Sequence, residues 1–301
     1  MGSGTWTAQA YDTYRATTCV KDINNMAYAS LTDIYTNRSI DSKLAPSANM
    51  CRECCDSEEH PNTKPVIIAL DVTGSMGRAT QTVAAKLSEI MKELYQKIPD
   101  VEFMFMGIGD LECDRSPVQL TQFESDVRIA EQLEKVYFES GGGGNGYESY
   151  TAAWYMASRH TKLDCWERGQ RGLIITLGDE PLNPTLHKED IKRHIGDNVA
   201  EDIHTKTLYD EVNKKYGVYH FSVDDSDTCY FNYKRRISDT WDKLLGDHSK
   251  VVTIDNLKNE IVTLIENFFS EDNVMDYAPI TTEKVNDSTG LNLDEDGLVS
   301  W

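Results

Sequence analysis

The sequence predicts an α/β fold, a doubly wound and mostly parallel β-sheet with helices on both faces. Three observations predict it. Pro65-Val-Ile-Ile-Ala-Leu-Asp71 and Gly172-Leu-Ile-Ile-Thr-Leu-Gly178 are unbroken apolar runs, the pattern of strands buried on both faces. Between such runs lie stretches with helical periodicity, and strands alternating with helices imply parallel βαβ units. The most turn-rich loops, 71–77, 140–147 and 178–184, each follow a strand end. In doubly wound sheets that rim is where ligands bind.

The elements follow in order. Residues 1–62 are polar and weakly periodic, an N-terminal arm expected to pack on the main domain, which spans 63–270. The first strand ends at Asp71 and a loop, Thr73-Gly-Ser-Met-Gly77, follows. Val83, Leu87, Ile90, Met91, Leu94 and Ile98 then recur at helical spacing until Pro99. Val101–Ile108 reads as a second strand and 134–139 as a shorter one. A glycine-rich loop, 141–146, precedes a helix over 147–160. The strand 172–178 leads to a polar helical pattern over 187–216. A strand over 217–223, a helix over 237–245, a strand over 251–254 and a closing helix marked by Leu257, Ile261, Leu264, Ile265 and Phe268 complete the domain. Residues 271–301 hold eight Asp or Glu and one Lys, and read as a flexible acidic tail.

Composition narrows the function. The formal charge is −20, with 50 acidic against 30 basic residues. Such a surface repels phosphates and anionic lipid and favours cations or basic partners, so neither nucleic acid nor membrane is expected. No apolar run reaches the roughly 18–20 residues of a membrane span. The N-terminus shows no secretory pattern, and the expectation is a cytoplasmic protein. The 7 cysteines are an odd number spread along a long chain, unlike a disulfide framework. Cys51, Cys54 and Cys55 form one C-x-x-C-C cluster, but zinc needs a second pair.

Asp71-Val-Thr73-Gly-Ser75 carries the chemistry. In an extended segment residues i, i+2 and i+4 share a side, so a D-x-T-x-S run leaving a strand can aim three oxygens at one point. A hard cation such as Mg²⁺ takes oxygen donors in near-octahedral geometry. The bland alternative is that Thr73 and Ser75 merely cap the following helix.

This run resembles the metal-ion-dependent adhesion site of von Willebrand factor A (vWA) domains. The preceding apolar strand and the following Met76-Gly77 are similar to the family too, and over about 65–270 the chain looks like its bacterial and phage members. The resemblance implies a Rossmann-like vWA fold and a site for Mg²⁺ or Mn²⁺ formed by Asp71, Thr73 and Ser75. Asp179, after the strand 172–178, matches the family's third motif, which often reaches the metal through water. The second motif departs from the usual Gly-Gly-Thr: the chain has Gly143-Gly-Asn145-Gly-Tyr-Glu148. Asn145 is the replacement oxygen, with Thr151 the other candidate. Glu148 and Glu180 are candidates for the surrounding shell.

Other chemistries fit less well. Gly141, Gly143 and Gly146 spell G-x-G-x-x-G, but Asp164 falls near a helix end rather than at a second strand end. A haloacid-dehalogenase-like phosphatase needs D-x-D, and Thr73 cannot replace the second Asp as general acid. The resemblance therefore implies a non-enzymatic function: metal-dependent recognition of a protein ligand whose Asp or Glu completes the coordination. The alternatives are an assembly subunit working through arm and tail, and a hydrolase with Glu148 or Glu180 as base.

Overall fold

The computed structural model describes residues 4–18, 39–138, 146–224 and 231–270. The arm contributes α1 (Ala8–Thr18) and β1 (Arg52–Cys54). Then come β2 (Lys64–Asp71), α2 (Gly77–Tyr95), β3 (Val101–Ile108), β4 (Val118–Leu120) and α3 (Arg128–Leu133). The middle holds α4 (Tyr150–Arg159), β5 (Thr161–Leu163), α5 (Asp164–Glu167), β6 (Gly172–Gly178), β7 (Thr185–Leu186) and α6 (Lys188–His194). The chain continues through β8 (Ile203–His204), α7 (Thr205–Lys215), β9 (Tyr216–Asp224), α8 (Phe231–Leu245), β10 (Ser249–Thr253) and α9 (Leu257–Phe268).

The main sheet has six strands in the order β10-β9-β6-β2-β3-β4, parallel except where β4 runs antiparallel to β3. Alternation along each strand splits the core into two layers. Ile67, Ala69, Met104, Ile174 and Val218 face Trp154 of α4, Leu208 of α7 and Trp241 of α8. Val66, Ile68, Phe103 and Ile175 face Val83, Leu87 and Ile90 of α2 and Ile261 and Ile265 of α9. Each such side chain contributes about 1.5–3 kcal/mol by leaving water. The chain thus forms an α/β domain with helices on both faces of a mostly parallel sheet.

From β2 the chain moves one way to β3 and β4, then returns to the other side of β2 for β6, β9 and β10. The direction reverses between β2 and β6, so the crevice outside their carboxyl ends is the topological switch point. Register brings these ends flush: Leu70 pairs with Leu177, and Asp71 with Ile108.

Arm residues pack against the domain. Trp6 and Leu44 are buried in the α2 layer, Leu44 O accepts from Leu120 N, and β1 pairs in parallel with β5. Two expectations need correction. Residues 134–138 form no strand. Gln119 of β4 accepts from Tyr137 N through Oε1 and donates to Tyr137 O through Nε2, so a side-chain amide replaces the ladder. Buried Val136 accounts for the misleading apolar pattern. The 187–216 pattern is two helices, α6 and α7. Gly196, at φ +95°, ends the first, and its N–H returns to Ile191 O as a helix C-terminal cap. The helices 147–160, 237–245 and 83–98 are α4, α8 and α2 with shifted ends. The tail 271–301, Cys19 and residues 139–145 of the glycine-rich loop lie outside the described residues.

Candidate metal-binding rim

Asp71 ends β2 with its side chain fully buried. Its Oδ1 accepts from Thr73 N at 2.9 Å and Thr73 Oγ1 at 2.6 Å, and its Oδ2 accepts from Tyr150 Oη at 2.9 Å. The Thr73 hydroxyl therefore does not cap α2, whose N-cap, Met76, makes no side-chain cap. That hydroxyl gives its proton to Asp71. Ser75 sits in the turn of 3₁₀-helix Gly74–Met76, and its side chain lies outside what is described. Asn145 also lies outside the described residues. Thr151, the other second-loop candidate, is buried and bound to Asn183: its N donates to Oδ1 at 3.3 Å and its Oγ1 accepts from Nδ2 at 2.6 Å.

Asp179 follows β6, half-buried, at the same rim. Burial and then the Asp179 charge push the Asp71 carboxyl well above the usual carboxylate range, against the Thr73 and Tyr150 hydrogen bonds that lower it. Glu148 is shifted further in the same direction, first by burial and then by Asp71, Asp114, Asp110 and Glu180. Asp110, just after the end of β3, is 1 % exposed. Glu148 Oε2 and Asp110 Oδ2 are buried with no hydrogen-bond partner among the described residues. A low-dielectric rim crowded with carboxylates is an environment that a cation relieves.

Tyr150 is the residue that sequence reasoning passed over. It is fully buried at the start of α4. Its hydroxyl accepts from Glu180 N at 3.3 Å while donating to Asp71, so it joins the first rim loop to the third. Gly178 makes this possible, because a Cβ there would lie 1.8 Å from Tyr150 Oη. The ring meets Trp241 edge-on, with centroids 5.2 Å apart. Trp241 stacks on His220 at 3.5 Å and donates to Glu180 O at 3.1 Å. His220 is fully enclosed, and burial holds it neutral. The signal in the sequence was the glycine at the end of an otherwise bulky strand.

Among the described residues no three His, Cys, Asp or Glu side chains form a group able to hold a metal. This bears on both candidates. At Cys51, Cys54 and Cys55 the thiols are free, with Cys54 buried beneath the sheet. At the rim, any ion would have to draw on hydroxyl donors, which the D-x-T-x-S run supplies. The donor chemistry present, one carboxylate with adjoining hydroxyl and a second carboxylate across the crevice, suits a hard divalent cation.

At the level of sequence no family model and no curated relative matches the chain. Solved structures resemble it in fold. The pilus adhesin SpaC from Lactobacillus rhamnosus GG superposes with a TM-score of 0.48 at 14% identity, over 71% of this chain and 31% of that one. The vWF domain of the type V pili tip protein Mfa5 from Porphyromonas gingivalis gives 0.46 at 10% identity, over 71% and 99%. Proximal thread matrix protein 1 from the mussel byssus gives 0.44 at 9% identity, over 70% and 48%. The chain thus spans about a third of SpaC. These likenesses concern the arrangement of strands and helices alone.

Proposed function

We propose that the carboxyl rim is a divalent-cation site of the adhesion type and that the protein uses it to recognise a protein ligand. Thr73 and Ser75 supply neutral hydroxyl donors, Asp71 and Asp179 supply charge, and Asn145 is the second-loop oxygen. Mg²⁺ or Mn²⁺ bound there supplies an electrophilic position that a partner's Asp or Glu completes. Tyr150 fixes the Asp71 carboxylate, and Asp71 in turn fixes the Thr73 hydroxyl. The observation that supports this most is the Thr73 hydroxyl committed to a buried Asp71 in a rim of crowded acids.

The assembly reading is weaker because the arm's Trp6 and Leu44 are already buried within the same chain. The hydrolase reading is weaker because burial and four acidic neighbours favour a protonated Glu148, which cannot accept a proton as a base. No helix among the described residues is long and apolar enough to cross a membrane.

Calorimetric titration of chelator-treated protein with Mg²⁺ and Mn²⁺, beside Asp71→Asn and Thr73→Ala, tests the proposal. Saturable binding, weakened at least about tenfold in both variants, is expected for lost first-contact oxygens. Absence of binding in the wild-type protein, or equal binding in the variants, contradicts it.

A further inference from the structure

Beside the rim lies a second feature, which shares Asp110 with the rim but is lined by none of the proposed metal ligands. The loop after β3, the segment leading into α4 and residues 183–190 enclose a recess of about 40 Å³, whose wall includes Asp110, Glu112, Ser149, Asn183, His187 and Asp190. A single water needs roughly 10–15 Å³ measured this way, so the recess admits the end of a side chain.

Its wall is anionic and incompletely satisfied. Asp110 is 1 % exposed, accepts from Glu112 N at 2.9 Å through Oδ1, and leaves Oδ2 without a hydrogen-bond partner among the described residues. A buried carboxylate oxygen in that condition costs free energy until a donor reaches it. Asp190 is engaged by Arg193, which also donates to Leu111 O at 2.7 Å. Glu112 is half-exposed at the mouth, with its Oε1 3.9 Å from His187 Nε2. His187 is held by Asp202 at 3.0 Å, which raises its pKa.

The chemistry of an occupant follows. An occupant that reaches Asp110 must bring a donor, because carboxylate oxygens only accept. It should carry positive charge, because Asp110 and Glu112 in the wall and Asp114 beside Asp110 are acids. Ammonium and guanidinium groups are donor-only, cationic and small at the tip. We infer that this recess receives the cationic end of a Lys or Arg side chain from a protein partner, with Asp110 as its buried anchor and Glu112 as its entry charge. The inference stands without the metal. If both sites operate, the partner presents an acidic and a basic side chain close together.

The test uses the full chain in excess chelator at low ionic strength, titrated with N-acetyl-lysine N-methylamide, N-acetyl-arginine N-methylamide and the neutral isostere N-acetyl-norleucine N-methylamide, followed by NMR. At least one cationic probe should bind saturably while the neutral one does not. Which of the two binds more tightly assigns the recess to ammonium or guanidinium. Asp110→Asn should weaken binding about tenfold or more, the effect of losing a charge-assisted hydrogen bond. Glu112→Gln, at an exposed position that does not endanger folding, should weaken it about two- to threefold. Cationic probes binding no better than the neutral one, or binding unchanged in both variants, would overturn the inference.

Discussion

The two ends of the central sheet carry similar residues and solve opposite problems. At the amino end, several charged groups meet partners that satisfy them. Asp56 accepts from Thr63 N at 3.0 Å and Thr63 Oγ1 at 2.7 Å and pairs with Arg168, and these partners hold its carboxyl below the usual range despite partial burial. His60 lies 3.4 Å from Asp100, and Arg52 binds the Lys43 and Leu120 carbonyls. At the carboxyl end, acids meet acids. Asp71, Glu148, Asp110, Asp179 and Glu180 gather around a crevice, and burial and mutual repulsion raise the Asp71 and Glu148 carboxyls. The difference teaches how to separate structural from functional charge. A satisfied buried acid stabilises a fold, whereas a crowded set with orphaned oxygens is poised for something that arrives from outside.

Changes that attack this contrast should differ in size. Gly178→Ala forces a methyl into Tyr150 Oη and should break the rim from within. We expect a loss of about 3 kcal/mol in urea denaturation. A neutral result would mean that Tyr150 is not fixed against β6.

Glu124 and Glu102 depart from this at the amino end, both buried and both raised first by burial, and Glu102 sharpens the comparison. It is 2 % exposed, and burial, opposed by its hydrogen bond with Cys54, pushes its carboxyl up to about 7. A carboxyl raised above its unfolded value of about 4.5 favours the fold most at low pH. That contribution fades as pH rises through 7 and amounts to about 3 kcal/mol or less across the window. Glu102→Gln should flatten the decline in unfolding free energy between about pH 4.5 and 7. An unchanged slope would show that Glu102 is hydrated in solution.

Tyr150→Phe keeps the aromatic packing and removes one hydroxyl shared by Asp71 and Glu180. It should cost about 1–2 kcal/mol in thermal unfolding. It should also weaken Mn²⁺ binding several-fold, because Asp71 loses its orientation. Unaltered affinity would remove Tyr150 from the site.

Arg168→Ala, at the satisfied end, should cost about 1 kcal/mol or less, since its pair with Asp56 is partly solvated. It should leave metal binding untouched. A large effect on Mn²⁺ affinity would mean that the two ends are not separate.

Much of this was legible in the chain. The long strands β2, β3, β6 and β9 announced themselves because parallel strands buried on both faces read as apolar runs. The short β4 did not, since three residues centred on Gln119 carry no pattern. The break between α6 and α7 was hidden because both helices are polar on their outer faces, and only Gly196 marks the stop. At the rim, the positions of Asp71 at the end of β2 and of Asp179 just after β6 were readable from the apolar runs before them. Tyr150, Trp241 and Asn183 were not. Their roles depend on tertiary neighbours 30–80 positions away, such as Tyr150 on Asp71 and Trp241 on Glu180. Nothing in the local sequence marks Asp110 as buried; the fold closes over it.

The most direct measurement of the central claim is anomalous scattering from crystals grown with Mn²⁺. The account predicts one strong peak in the crevice between the ends of β2 and β6, about 2.0–2.2 Å from Thr73 Oγ1, and its loss in Asp71→Asn. A peak at the amino end, or no peak at saturating Mn²⁺, would contradict it.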